Sequence, residues 1–119
     1  MAPPNLRNPT TIIGRTAGYV ATTSLASALD NPAASGKVFK INTIRAANIG
    51  SGATFTVDVT RRRSGVDVYL CRSTPVQAGD SLIVLSREEF FYQEEGDAIF
   101  ARASSASSIE LLITYEDIS

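Results

Sequence analysis

Three groups of residues in this chain carry side chains able to do chemistry. The first is acidic: Glu88-Glu89 and Glu94-Glu95-Gly96-Asp97. Such carboxylates can supply hard oxygen ligands for calcium, or a pair for acid–base hydrolysis of a sugar. The second is basic, Arg61-Arg62-Arg63, whose guanidinium groups suit phosphate or a protein carboxylate. The third is the lone thiol of Cys71. The chain has no histidine, which removes the commonest general base and metal ligand and every nucleophile–histidine mechanism.

Each group has a simpler reading from its surroundings. Glu94 to Asp97 lies between strand-like segments and reads as a solvated hairpin turn. There Gly96 takes positive φ and Asp97 hydrogen-bonds the local backbone. The calcium loop of an EF-hand needs alternating ligands between two helices, and this region is strand-rich. Arg61 to Arg63 precedes Ser64-Gly65, another turn signal, with no interleaved aromatic to stack bases. A solvated tip or a protein contact is therefore expected. Cys71 ends an apolar segment, where a buried and inert thiol is expected, and a single cysteine excludes an intrachain disulfide. Neither a phosphate-cradling loop nor a dinucleotide turn occurs. The reading is of a non-enzyme with no catalytic, cofactor or metal residues.

The elements that must position these residues are strands. Phe55, Val57 and Val59 alternate with threonine and aspartate, and Ile109, Leu111, Ile113 and Tyr115 repeat the period of two. Val66, Val68 and Leu70 form a third set. Leu82 to Leu85 is a continuous apolar run, expected of a strand covered on both faces. Turn signals at Asn31-Pro32, Ser35-Gly36, Gly50 to Gly52, Ser64-Gly65, Ala78 to Asp80 and Gly96-Asp97 separate them.

The predicted strands are 18–26, 37–48, 53–62, 66–73, 81–86, 89–93, 98–103 and 108–116. Ser24 to Leu29 offers one helical turn as an alternative. The fold class is all-β: a single antiparallel β-sandwich, jelly-roll or immunoglobulin-like, with an extended N-terminal arm. The inward set is Phe55, Val57, Val59, Val68, Leu70, Val84, Ile109, Leu111 and Ile113.

Residues 1–17 read as the arm and 18–119 as the sandwich. Pro3, Pro4 and Pro9 keep the arm from regular structure, while Thr10-Thr11-Ile12-Ile13 offers a short strand, with β-branched contacts from Ile12 and Ile13, to a neighbour. In Glu89 to Gln93, alternation puts Phe90 and Tyr92 on one face and Phe91 on the other. Either the strand is buried on both faces, by loops or a neighbouring strand, or one ring faces outward as an interface anchor, a role assigned to Phe91. The candidate interface residues are thus Ile12, Ile13, Arg61, Arg62, Arg63 and Phe91.

With 119 residues, 44% hydrophobic and 19% charged, the chain has the composition of one globular domain. A formal net charge of -1 gives no global pull toward nucleic acid or a membrane surface. No run of about 18 apolar residues occurs, and the start of the chain lacks an apolar signal core. Neither a nucleic acid nor a membrane partner is expected.

The order of segments carries a resemblance. A threonine/alanine stretch (Tyr19 to Ser24) leads to Asn31-Pro32-Ala33-Ala34-Ser35-Gly36-Lys37-Val38-Phe39-Lys40-Ile41-Asn42-Thr43-Ile44-Arg45, then Ala46 to Ile49, a glycine turn and Phe55 to Val59. The close runs through Tyr92-Gln93-Glu94-Glu95-Gly96-Asp97 to Ile113-Thr114-Tyr115-Glu116-Asp117-Ile118-Ser119. This resembles small virion structural proteins of tailed bacteriophages, especially phages of cyanobacteria. The resemblance implies a β-sandwich subunit, made in the host cytoplasm and built into the virion in many copies. It also implies self-association, as a trimer or ring, and contact with another virion protein such as the major capsid protein. A capsid cement (decoration) role leads, with a neck or tail accessory subunit or a carbohydrate- or receptor-binding fibre module as alternatives. No cofactor and no catalytic residue set comes with it.

Overall fold

The computed structural model describes residues 3–119. Nine strands follow in order: β1 (Ile12–Val20), β2 (Ala26–Asp30), β3 (Val38–Asn48), β4 (Phe55–Arg63), β5 (Val66–Val76), β6 (Ser81–Leu85), β7 (Phe91–Gln93), β8 (Ala98–Ala103) and β9 (Ile109–Ile118). One 3-10 turn, Arg87–Glu89, sits between β6 and β7. Among the described residues there is no α-helix.

All strand pairs are antiparallel. One sheet runs β1-β9-β3-β6, and β7 joins it on the same side of β3 as a separate piece. The other sheet runs β2-β8-β4-β5. The pairs nest: β4 with β5, β3 with β6 and β7, β2 with β8, β1 with β9. A long hairpin rolled so that successive pairs fall in alternate sheets is a jelly roll. The strand order thus selects the jelly roll over the immunoglobulin-like alternative.

The core lies between the sheets. β3 and β9 supply Phe39, Ile41, Ile44, Ala46, Ile109, Leu111, Ile113 and Tyr115, and the second sheet supplies Val57, Val59, Ile99, Ala101 and Ala103. Period-two alternation, shifted in β3 by the bulge between Ile41 and Thr43, turns these side chains inward and sends Glu110 and Leu112 to solvent. At the innermost turn, Ser64 and Gly65 both have positive φ (51° and 75°), the two-residue connection whose twist suits a hairpin. A further positive φ, 48° at Ser73, marks where β5 bulges against β4.

Six expectations are corrected. The arm is shorter than 17 residues, because β1 starts at Ile12 and pairs with the chain's own β9 from Ile12↔Ile118 to Val20↔Glu110. An intramolecular edge was open to these β-branched residues, so only the proline-bearing stretch stays outside the sheet. Of that stretch, residues 1 and 2 lie outside the described residues. The predicted strand 18–26 is in fact the end of β1, a corner at the fully buried Ala21, and the start of β2. Ser24 to Leu29 forms no helical turn, since Ala26–Asp30 pairs with β8.

Val68 is not inward in a closed core. It is 53% exposed, at an open end of the sandwich beside Arg61, Arg63 and Phe91. The run Leu82 to Leu85 is covered on one face only, and Ile83 is 68% exposed. β6 pairs solely with β3 and has no second layer over its outer side. Finally, the predicted strand 89–93 begins at Phe91, after the 3-10 turn.

Candidate assembly interface

The arginine triplet is split by the pleat of β4. Arg63 donates from Nε and Nη2 to both oxygens of Asp97, each at 2.7 Å, and from Nη2 to Glu94 at 2.8 Å. Asp97 also accepts the Glu94 N–H at 2.9 Å, closing the turn in which Gly96 has φ 84°. Burial pushes the Asp97 carboxyl up. The Arg63 hydrogen bonds, the Glu94 N–H and the neighbouring positive charge outweigh that and hold it below its ordinary range.

Arg62 lies on the opposite face, where Nε and Nη2 each bond Asp67 at 2.9 Å and the guanidinium sits 3.8 Å above the Phe100 ring. Arg61 makes no ion pair among the described residues. It lines a groove of about 310 Å³ with Arg63, Val68 and Phe91. The three arginines therefore form two sites, each committed largely to the chain's own carboxylates, and not one basic surface.

The aromatic run is inverted relative to expectation. β7 pairs with β3 in the register Ile41↔Phe91 and Lys40↔Tyr92. Phe91 therefore shares the inward face of Ile41 and packs on the core, while Phe90 and Tyr92 are exposed. Those two rings make an edge-to-face pair at 5.8 Å, with Lys40 Nζ 4.4 Å over Phe90. Cys71 is half-buried opposite Val59, and burial pushes its thiol up.

What remains is the set of strand edges. An edge strand exposes unpaired N–H and C=O groups, so proteins usually shorten, bulge or charge it. β2 is five residues long and its register shifts between Ser27 and Leu29. β5 carries two register shifts and Pro75. Its bulge is pinned by Asp58, which accepts the Ser73 N–H at 2.6 Å and Arg102 Nε at 2.7 Å. The β6/β7 edge is broken by the 3-10 turn. β1 has none of these devices: nine residues, unbroken register, no proline and one charge. That charge, Arg15, is drawn to Asp117 at 2.9 Å.

Alternation settles which backbone groups of β1 are free. Thr11 exchanges both hydrogen bonds with Ser119, and the Ala21 N–H donates to the Ile109 carbonyl. Odd-numbered residues therefore face β9, and Ile12, Gly14, Thr16, Gly18 and Val20 turn their N–H and C=O groups outward. The side chains of these residues are exposed and mostly small. They continue the outer face through Thr114 and Thr43, whose hydroxyls hydrogen-bond at 2.5 Å, and on to Leu112, Arg45 and Ile83, which line a groove of about 380 Å³.

Sequence reasoning put Ile12 and Ile13 at an interface, on a short strand against a neighbour, but missed that this strand runs on to Val20 and pairs with the chain's own β9. The usable signal was the β-branched and small-residue pattern running on past Ile13 to Val20. No protein-family model matches the chain, and no curated protein is significantly similar to it.

Proposed function

We propose that this chain is a structural subunit of a phage virion, most closely a capsid cement subunit. It self-associates in many copies and binds another virion protein such as the major capsid protein. The observation that carries the reading is the unguarded β1 edge in a fold whose other edges are bulged, short or interrupted. A nine-residue edge left open is a site for strand addition, in which main-chain hydrogen bonds supply affinity. The jelly-roll order is also common in viral shell proteins, a likeness at the level of fold alone. The segment resemblance to small phage virion proteins supports the same reading.

The test is to look for the chain in purified particles by mass spectrometry and antibody labelling, together with its mass in solution. Many copies per particle and an oligomer in solution are expected. Absence from every particle fraction would overturn the virion assignment. Labelling at the neck or tail instead of the shell would move the subunit to the accessory role.

A second reading rests on the exposed Phe90–Tyr92 pair, an aromatic platform of the kind sugars stack on. On that reading the chain is a glycan-binding module of a fibre. A saturable glycan response lost in Tyr92→Ala would favour it over the assembly role.

A further inference from the structure

We infer that the occupant of the β1 edge is a second copy of this chain, paired antiparallel about a two-fold axis through Thr16. The inference rests on the self-association reading above and adds its register and symmetry. The outward N–H and C=O groups belong to Ile12, Gly14, Thr16, Gly18 and Val20. An isologous antiparallel pair must match these residues with the same set in the partner. Centred on Thr16, the pairing sets Thr16 against Thr16, Gly14 against Gly18 and Ile12 against Val20. Every outward group of the five then finds a partner, and the two five-stranded sheets join into one continuous sheet.

Neighbouring registers are worse for stated reasons. Centred on Arg15, the pairing would oppose two guanidinium groups, and like charges directly opposite destabilise a sheet. It would pair Gly14 with Thr16 and Ile12 with Gly18 but leave Val20 opposite Thr10, outside the strand. Centred on Gly14 or Gly18, the overlap shrinks and part of the strand is left unpaired. With Thr16 at the axis, Arg15 lies opposite Ala17 and keeps Asp117. The exposed Ile12 and Val20 gain each other as cross-strand neighbours at both ends. Gly14 and Gly18 present no side chain to obstruct the approach.

The pairing is tested on the full chain. Sedimentation of the wild type should show a concentration-dependent dimer. Thr16→Lys, which sets two ammonium groups across the axis, should raise the dissociation constant at least tenfold with the circular dichroism spectrum unchanged. Ile83→Lys, exposed on the same sheet face but on β6, should leave the dimer intact. In a Cys71→Ser background, Thr16→Cys should cross-link to itself on oxidation.

A readout that needs no variant is hydrogen exchange. The amides of Ile12, Gly14, Thr16, Gly18 and Val20 should be protected in concentrated wild type and exchange on dilution. A wild-type chain that stays monomeric, a dimer that survives Thr16→Lys, or fast exchange of those amides in the dimer would each overturn the register. A β1 dimer absent from particles would sink the virion reading and leave this one standing. A chain found in particles but never paired at β1 would do the reverse.

Discussion

Arg63 and Asp97, 34 residues apart in the chain, meet in a two-pronged ion pair at 2.7 Å on each prong. The Asp97 side chain is 1% exposed and that of Arg63 is 47% exposed. The pair ties the end of β4 to the turn between β7 and β8. Around it, Asn31 donates to the Lys37 and Gln93 carbonyls, and Gln93 donates to the Leu29 and Asp97 carbonyls. Three loops at one end of the sandwich are thus joined through buried polar side chains.

Replacing Arg63 with Ala should destabilise the domain by about 2–3 kcal/mol. That is below the about 3–5 kcal/mol for breaking a fully buried pair, because water already reaches the guanidinium and screens part of the interaction. Urea denaturation of Arg63→Ala against Arg61→Ala measures it. Arg61, which makes no ion pair among the described residues, should cost under about 1 kcal/mol. Equal losses would show that the pair contributes nothing particular.

Acid should unfold the protein partly through Asp97 and Asp67. Arg62 hydrogen bonding holds the Asp67 carboxyl down, and Asp97 is held down against the opposing effect of its burial. A carboxyl depressed in the fold stabilises above its unfolded value, about 4, and loses that stabilisation as pH falls through the folded value. Stability should hold between pH 7 and 5 and fall below about 4. Asp97→Asn should lower stability at pH 7 and flatten the acid limb in pH-dependent urea titrations. An unchanged limb would assign the acid sensitivity elsewhere.

Removing residues 1–9 should leave a folded sandwich with its β1 edge intact, because β1 begins at Ile12. Removing residues 1–17 should instead strip most of β1 and expose the β9 backbone, giving aggregation and not a clean monomer. Solubility and light scattering of the two truncations distinguish these outcomes. A well-behaved 18–119 fragment would mean that β1 is dispensable to the sheet.

Cys71→Ala should cost at most about 1–2 kcal/mol, the scale for removing a small, partly buried side chain. Assembly should be unaffected. The thiol, pushed up by burial, should react slowly with alkylating reagents at neutral pH. Fast modification that blocks assembly would contradict this.

Sequence alone determined that the chain is an antiparallel sandwich, because the alternation in Phe55–Val59 and Ile109–Tyr115 is local and each strand carries it independently. The turn at Glu94–Asp97 was legible for the same reason, its glycine and aspartate acting within four residues. It is not the solvated hairpin expected, however: it carries the chain from one sheet to the other, and Asp97 is fully buried. Tertiary structure decided everything that depends on which strand lies beside which. Phe91 turned inward because β7 took the register of Ile41, and Ile83 stayed exposed because β6 became a margin. Asp97 found an arginine far away in sequence, an encounter that no local pattern encodes. Residues 12–17 joined the sheet because the outer side of β9 was open, and whether a β-branched segment pairs within its own chain or with a neighbour depends on such a vacancy. The free groups of Ile12, Gly14, Thr16, Gly18 and Val20 follow from that placement, since pairing one side of a strand leaves the alternate backbone groups facing out.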